Sequence, residues 1–374
     1  MALRLIELAS DDNASPGDLA GVIAQDPSLS VRLLILASSA AFYGGRAVKT
    51  LDQAIVRIGF NRLRIMALSI SIKDAVPMSR SGHLNYEQFW KNSLYRGVLA
   101  RGLARLSSAV EPDEAFLAGL ILEIGLPMFL DLLGKDLDAG ITLDFDSLEA
   151  TLAWETHQFG INHRQVGRMA MNYWKLPGEL AACQSVVAID DSRQPPPLAV
   201  ICCLAEALAN ALFYRPLQLH AVSRQVQQRF GIGNDALREL LGSACEQVED
   251  ASQSFAVRAN SQQDLLEILE RSKEALARLS QKMAFGSAEC KGGGAPSMET
   301  LRGEDSATAV TLQAVAHEIR NPLMALGGFA NRLAKTLDSD STGGRYAKLV
   351  LEEAKRLEST LAELTRLSMG TPVE

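Results

Sequence analysis

The sequence has little of what marks disulfide-rich, zinc-binding or membrane-spanning proteins. Its five cysteines are odd in number and form no Cys-x-x-Cys pair, so neither a disulfide framework nor a zinc knuckle is expected. The most apolar run, residues 198–205, is too short to span a bilayer. The N-terminus lacks the long apolar stretch of a signal peptide. We therefore expect a cytoplasmic protein without a membrane span.

The sequence also has fewer basic residues than acidic ones, 37 against 44. The formal net charge is -7, which argues against a nucleic-acid partner because nothing basic is concentrated enough to neutralise phosphates. Apolar residues make up 47% of the 374 residues, which suits a globular protein with two or more domains.

Strand signals are scarce, and helical periodicity replaces them. Up to about residue 250, apolar residues recur at steps of three and four between short breakers, which predicts many short helices and an all-α fold. Asp26 and Pro27 form a helix start, with Asp26 as the N-cap and Pro27 at the first helical position. The other breakers are Gly44-Gly45, Glu111-Pro112, Gly140, Leu176-Pro177-Gly178 and Pro195–Pro197.

A heptad-like seam follows the first domain. Its members are Leu265, Leu269, Ser272, Leu276, Leu279 and Met283. The pattern fits a short coiled coil or a single amphipathic helix packed on the first domain, and the spacing does not choose between them. Residues 286–305 are rich in glycine and small polar residues, which predicts a flexible linker.

The clearest helical pattern begins at about residue 306. Two apolar seams, from Leu312 to Leu337 and from Val350 to Leu364, flank a glycine-rich turn at residues 338–344. They predict an antiparallel helical hairpin. Because a lone hairpin leaves its apolar stripe half covered, we expect a homodimer whose two hairpins form a four-helix bundle.

One histidine in this hairpin carries potential chemistry. His317 follows the seam residue Ala316 and is not itself part of the apolar seam, so its imidazole should face solvent. An exposed imidazole is a competent nucleophile toward a phosphoryl donor. Glu318 is placed to accept the ring proton or hold the tautomer. Pro322 removes a helical hydrogen bond and permits a bend beyond His317. The alternative is an exposed histidine on a purely structural hairpin.

The string His317–Leu323, HEIRNPL, resembles the H-box of sensor histidine kinases. Residues 307–369 resemble their dimerisation and phosphoacceptor domain. The resemblance implies that His317 is phosphorylated and that Asn321 helps position the phosphate or nucleotide. It also implies that a response-regulator receiver aspartate accepts the phosphoryl group.

An ATP-binding domain usually follows this hairpin in that family, and this sequence contains no phosphate-binding loop. No cofactor is therefore expected in this chain, and ATP would act through a nucleotide-binding domain absent from it. Either a longer kinase has been truncated, which we favour, or a partner kinase acts in trans.

The first domain resembles the HD-related output (HDOD) domain. The resemblance rests on Asp26-Pro27-Ser28-Leu29, on Gly119-Leu120 and on Trp174-x-Leu176-Pro177, with Ser38 where the family usually has Asn. It covers about residues 2–250. We expect a multi-helical HD-like globular domain.

The metal ligands of HD phosphohydrolases are not retained. The resemblance aligns those ligand positions with Asn92, Leu122, Glu123 and, approximately, Glu206. A leucine cannot ligate, so we expect no metal and no phosphohydrolase activity. His163 is interpreted as a helix-start or core hydrogen-bonding residue. A small-molecule pocket in place of the metals is a hypothesis that a space filled by side chains would remove.

The combined prediction has three parts: an HDOD domain without metal ligands at 1–250, an amphipathic signalling helix with a flexible glycine-rich linker at 251–305, and a dimerisation and phosphoacceptor hairpin at 306–374. We expect the first domain to regulate phosphorylation of His317, in partnership with a kinase domain and a response regulator. The main alternative is a non-enzymatic dimeric scaffold, and a metal phosphodiesterase is a third. Substitution of His317 tests the scaffold alternative, and elemental analysis for bound metal tests the phosphodiesterase alternative.

Overall fold

The computed structural model describes residues 15–39, 48–76, 84–133, 148–186 and 195–268, with a few further positions. These further positions are Arg4, Leu8, Glu270, Arg271, Ser272, Glu274, Lys348, Leu351, Glu352 and Arg356. Gly44-Gly45, Gly140 and the predicted flexible linker at 286–305 lie outside the described residues. So does nearly all of the predicted hairpin, including His317, Glu318 and Asn321.

Every regular element within the described ranges is helical, so the all-α prediction is confirmed. The first nine α-helices are α1 (Pro16–Ala24), α2 (Pro27–Ser38), α3 (Leu51–Ile58), α4 (Phe60–Ala75), α5 (Tyr86–Ser107), α6 (Pro112–Leu120), α7 (Gly125–Leu133), α8 (Leu148–Phe159) and α9 (His163–Tyr173). The last four are α10 (Gly178–Cys183), α11 (Pro197–Phe213), α12 (Leu219–Phe230) and α13 (Asn234–Ser252). Short 3₁₀ turns occupy Pro216–Gln218 and Gln253–Phe255.

The chain divides into two compact units. The first comprises residues 1–209 and 243–261, and the second comprises residues 210–242 and 262–374. The predicted domain limits at 250 and 305 stay a prediction.

Polar caps start several helices of the first unit. Asp26 is the N-cap of α2, as predicted, and its Oδ1 accepts a hydrogen bond from the Leu29 amide at 3.0 Å. Ser15 and Asp18 form a capping box at α1, and Asn162 forms one with Gln165 at α9. Each cap satisfies amides that would otherwise lack partners in the first helical turn.

Helices α5 and α6 approach each other closely because glycine faces the contact. A Cβ added at Gly119 would lie 2.8 Å from the Arg96 carbonyl oxygen, and one added at Gly97 would lie 3.0 Å from the Phe116 carbonyl oxygen. No larger residue fits these positions without moving backbone. This approach places the turn after α6, which carries Glu123, beside α5.

A second close approach joins α7 to α9. A Cβ at Gly125 would collide with the carbonyl oxygen of His163 and would lie 2.5 Å from the Gly167 amide nitrogen. The start of α9 therefore lies directly against the turn that holds Glu123.

One described helical stretch, Pro112–Leu133, has the length and apolar composition of a membrane span, but 78% of its 18-residue window is buried inside the protein. This burial is what the core helices of a globular domain show.

In the second unit, the Arg271 guanidinium lies over the Tyr214 ring, 5.7 Å from its centroid. Residues 261–268 are helical, and the seam residues Leu265 and Ser272 are buried. The side chain of Leu269, together with Leu276, Leu279 and Met283, lies outside the described residues. The choice between a coiled coil and a packed helix therefore stays open.

A buried ion-pair cluster at the candidate functional site

Five ionisable side chains from four segments of the first unit meet in the protein interior. Glu123 lies in the turn between α6 and α7, Glu155 on α8, His163 and Arg164 at the start of α9, and Glu206 on α11. Four of them are less than 9% exposed, and the side chain of Glu206 is 13% exposed. We call these five residues the ion-pair cluster.

His163 is held between two carboxylates. Its Nε2 lies 2.7 Å from Glu123 Oε2, and its Nδ1 lies 2.8 Å from Glu155 Oε1. Its backbone amide donates to Glu155 Oε2 at 2.9 Å. Because each ring nitrogen faces an acceptor, the arrangement favours the doubly protonated imidazolium.

Electrostatics agree with this protonation state. Burial by itself lowers the pKa of His163, but the charges and hydrogen bonds of Glu123 and Glu155 outweigh it and raise the pKa to about 9. Burial acts to raise the pKa of Glu123, yet Arg164 and His163 hold it well below its usual range. The pair is therefore ionised at neutral pH.

Arg164 joins two carboxylates that are distant in sequence. Its Nη2 lies 2.8 Å from Glu206 Oε2 and also pairs with Glu123 Oε1. The whole side chain is 2% exposed. Burial opposes its charge, but the two glutamates together raise its pKa. A buried guanidinium in this position compensates two buried anions.

One further buried cationic residue acts on the cluster. Arg96 on α5 acts electrostatically on both Glu123 and Glu206. Its Nη2 donates to Ser93 Oγ at 2.9 Å, and its Nε donates to the Gly119 carbonyl at 3.4 Å. Burial raises the pKa of Glu206 while Arg164 opposes the rise.

The donor set does not fit a metal ion. A metal ligand must offer a deprotonated lone pair, whereas both nitrogens of His163 donate to carboxylates. Arg164 already neutralises Glu123 and Glu206, the two residues aligned with HD ligand positions. Leu122 is buried and has no donor, and Asn92 Oδ1 accepts from Gln88 Nε2 at 2.9 Å. Within the described ranges no three His, Cys, Asp or Glu residues are arranged to hold a metal.

The same geometry bears on the predicted ligand pocket. The imidazole of His163 and the guanidinium of Arg164 occupy the space between the glutamates, and both are almost fully buried. Side chains therefore fill the space in which the small-molecule hypothesis required a pocket.

Sequence reasoning found part of this cluster. The structure brings Glu123, Glu206 and His163 together, and His163 is the predicted first residue of a helix with a core hydrogen-bonding role. It missed Glu155 and Arg164. The sequence held one local signal for the pairing of Glu155 with His163. The two residues lie on either side of the short junction at residues 160–162, which joins α8 to α9. Arg164 had none, because its partners are about forty residues away in both directions.

The fold and this cluster define an all-helical HD-like domain in which Arg164 pairs with Glu123 and Glu206, the two glutamates that the resemblance aligns with HD ligand positions. Residues 1–188 match the family model of the HDOD domain, and residues 310–372 match that of the His Kinase A (phospho-acceptor) domain. The chain belongs to the HDOD family and carries a histidine kinase phosphoacceptor domain. This confirms the predicted fusion and makes the chain a signalling protein of the histidine kinase type.

Three similar proteins each match part of this chain. The uncharacterised protein YuxH of Bacillus subtilis (strain 168) is 33% identical over 98 residues, which are 26% of this chain and 23% of YuxH. A proposed phosphohydrolase of Shewanella amazonensis SB2B is 21% identical with a TM-score of 0.55. An HDOD protein of Geobacter sulfurreducens, of unknown function, is 19% identical with a TM-score of 0.54. Each match covers 68% of this chain and 92% of the solved chain, and at these identities they show the fold alone.

Proposed function

We propose that this chain is the sensor part of a cytoplasmic two-component histidine kinase, with His317 as the phosphoacceptor and the HDOD domain as its regulator. In this proposal the chain acts as a homodimer. A nucleotide-binding kinase domain supplies the phosphoryl group from ATP, and a response-regulator receiver aspartate takes it from His317.

The observation that carries the proposal is the phosphoacceptor match at residues 310–372, which includes the HEIRNPL string at 317–323. An imidazole near its ordinary pKa is an effective nucleophile toward phosphorus. Glu318 assists by accepting the ring proton, and Asn321, four residues after His317 in the sequence, helps position the phosphate.

The ion-pair cluster supports a regulatory role for the HDOD domain. Hydrolysis of a phosphoester by the HD route needs a metal-activated water, whereas Arg164 pairs here with both glutamates that the resemblance aligns with HD ligand positions. We infer that the domain acts by packing and conformation, as a two-state element that changes the reactivity of a distant histidine.

Phosphorylation of the full chain tests the proposal. The chain is mixed with labelled ATP and the separately supplied nucleotide domain of a histidine kinase, and acid-labile, base-stable label is measured on wild type and on His317→Gln. His157→Gln is the matched control, because His157 is an exposed histidine near the end of α8. We expect label on wild type and on His157→Gln and none on His317→Gln.

The scaffold alternative makes the opposite prediction. A hairpin that only dimerises and docks partners would carry no label on any variant, and its signalling output would survive His317→Gln. Absence of label, with an active nucleotide domain and an intact dimer, would replace the phosphoacceptor proposal by the scaffold.

A further inference from the structure

The predicted signalling helix contacts its own chain at two points. The described residues between 261 and 274 are all helical. At the start of this helix, the Ser261 amide donates to Glu249 Oε2 at 3.2 Å. Nearly three turns further along, the Arg271 guanidinium lies over the Tyr214 ring, 5.7 Å from its centroid. The described stretch of helix is therefore held by its own chain near both ends.

One face of this helix is almost fully buried. Leu265 is 4% exposed, Ile268 is 0% exposed and Ser272 is 1% exposed. Because successive residues of an α-helix point about 100° apart, these three side chains lie within roughly 60° of one another. Leu266 points away from them and is 55% exposed. We call Leu265, Ile268 and Ser272 the docking face.

The docking face contains part of the predicted coiled-coil seam. Leu265 and Ser272 belong to the heptad-like seam, whereas Leu266 and Ile268 flank that seam on opposite sides. In a coiled coil, seam side chains are buried against the partner helix. The same two side chains cannot be buried against their own chain and against a second copy at once. Docking and coiled-coil pairing of this segment therefore exclude each other.

Apolar burial supports each arrangement. The docked helix buries Ile268 completely, which stabilises the docked state. Pairing of two copies would instead bury the apolar seam residues that follow Ser272 in the sequence, Leu276, Leu279 and Met283. A serine at a seam position weakens the coiled coil, so pairing is not favoured outright. Where two states compete in this way, a modest bias shifts the population from one to the other.

We propose that residues 261–274 form a switch with two exclusive partners. In one state the docking face packs on its own chain, and in the other its seam residues pair with the same helix of a second copy. This inference rests on the homodimer of the proposed function. The phosphoacceptor match begins at residue 310, so a released helix extends the dimer contact on the N-terminal side of that domain. A signal that loosens docking then reaches His317 through the dimer.

Cysteine cross-linking of the full chain tests the switch. Ser272→Cys is a nearly isosteric change that places a thiol on the docking face and in the seam. It is made in a Cys290→Ser background, which removes the one native cysteine outside the described residues. Under a mild oxidant, disulfide-linked dimers on non-reducing gels report the pairing of two seams. The Cys290→Ser chain without Ser272→Cys gives the background level of cross-linking.

Two substitutions that flank the seam separate docking from pairing. Ile268→Asp buries a charge in the docked state, and Leu266→Asp is the matched control at an exposed position. Because a buried, unpaired carboxylate is unfavourable, we expect Ile268→Asp to raise the cross-linking rate of the Ser272→Cys chain about tenfold. Leu266→Asp should change that rate by less than about twofold, since exposed substitutions have small effects.

Two results overturn the proposal. One is an equal cross-linking rate in Ile268→Asp and Leu266→Asp. The other is an Ile268→Asp chain whose thiol at position 272 reacts rapidly with maleimide but forms no cross-linked dimer. Light scattering measures the homodimer separately. A monomeric chain refutes the proposed homodimer together with the switch, whereas a dimer with either result overturns the switch alone. If Ile268→Asp does not fold, Ile268→Ala and Leu266→Ala make the same comparison by removing apolar area.

Discussion

Arg164 Nη2 lies 2.8 Å from Glu206 Oε2, although 42 residues separate the two along the chain. The same nitrogen also pairs with Glu123. One guanidinium thus holds together the turn after α6, the start of α9 and the middle of α11.

Removal of the Arg164 charge should destabilise the HDOD domain strongly. Arg164→Met leaves Glu123 and Glu206 without their buried cation, which we expect to lower the free energy of unfolding by ~3–5 kcal/mol. Urea denaturation followed by circular dichroism measures it. Arg168→Met is the matched control, because Arg168 is exposed one turn along α9 and contacts Ser185 Oγ at 3.4 Å. We expect the control to change stability by no more than ~0.5 kcal/mol. Equal stability of the two variants would show that the cluster does not stabilise the fold.

The raised pKa of His163 predicts a pH-dependent stability. The pKa is about 9 in the folded chain against 6.5 as the ordinary value, so the folded state binds the proton more tightly. The resulting stabilisation, on the order of 3 kcal/mol, is fully present below pH 6.5 and is lost as the pH rises through about 9.

The measurement is the unfolding free energy of wild type and His163→Gln between pH 6 and pH 10. The difference between them should shrink as the pH rises, because the variant lacks the titrating group. A difference that stays constant across this range would mean that His163 is neutral in the folded protein.

The contact between α7 and α9 predicts sensitivity at Gly125. Gly125→Ala places a methyl group against the His163 carbonyl and the Gly167 amide, and we expect a loss of about 3 kcal/mol because backbone must move. Gly21→Ala in α1 is the control, since nothing lies within 4 Å of its added Cβ. That substitution should be neutral or stabilising by up to ~1 kcal/mol. Comparable melting temperatures for the two variants would contradict the close packing of α7 on α9.

The ion pairs of Arg164 with Glu123 and Glu206 predict that the HDOD domain does not take up metal. We expect elemental analysis of chain produced in medium supplemented with manganese, iron and zinc to find far less than one metal ion per chain. One or two equivalents, lost on substitution of Glu123 by Gln, would revive the metal phosphodiesterase alternative.

Local signals in the sequence predicted the fold better than the site. Asp26-Pro27, Glu111-Pro112 and Pro195–Pro197 each act within a few residues, and each precedes a helix of the structure. Helix caps and proline positions depend on neighbouring backbone atoms, so they can be read from a short stretch of sequence.

The ion-pair cluster depends on contacts that no short stretch contains. An arginine such as Arg164 ordinarily predicts an exposed position, whereas here it is buried between glutamates of two distant segments. The His317 motif differs in kind, because a run of consecutive residues carries its resemblance to a known family. The motif was therefore found from the sequence, and its residues lie outside the described part of the structure.

The most direct test of the account is the position of the phosphoryl group within the chain. Trypsin should release residues 303–320, which contain His317 as their one histidine, together with Ser306, Thr308 and Thr311. After phosphorylation in the presence of a nucleotide domain, mass spectrometry at neutral pH should place the phosphoryl group on His317, and mild acid should remove it. An acid-stable phosphoryl group on Ser306, Thr308 or Thr311, or none in this peptide, would contradict the account.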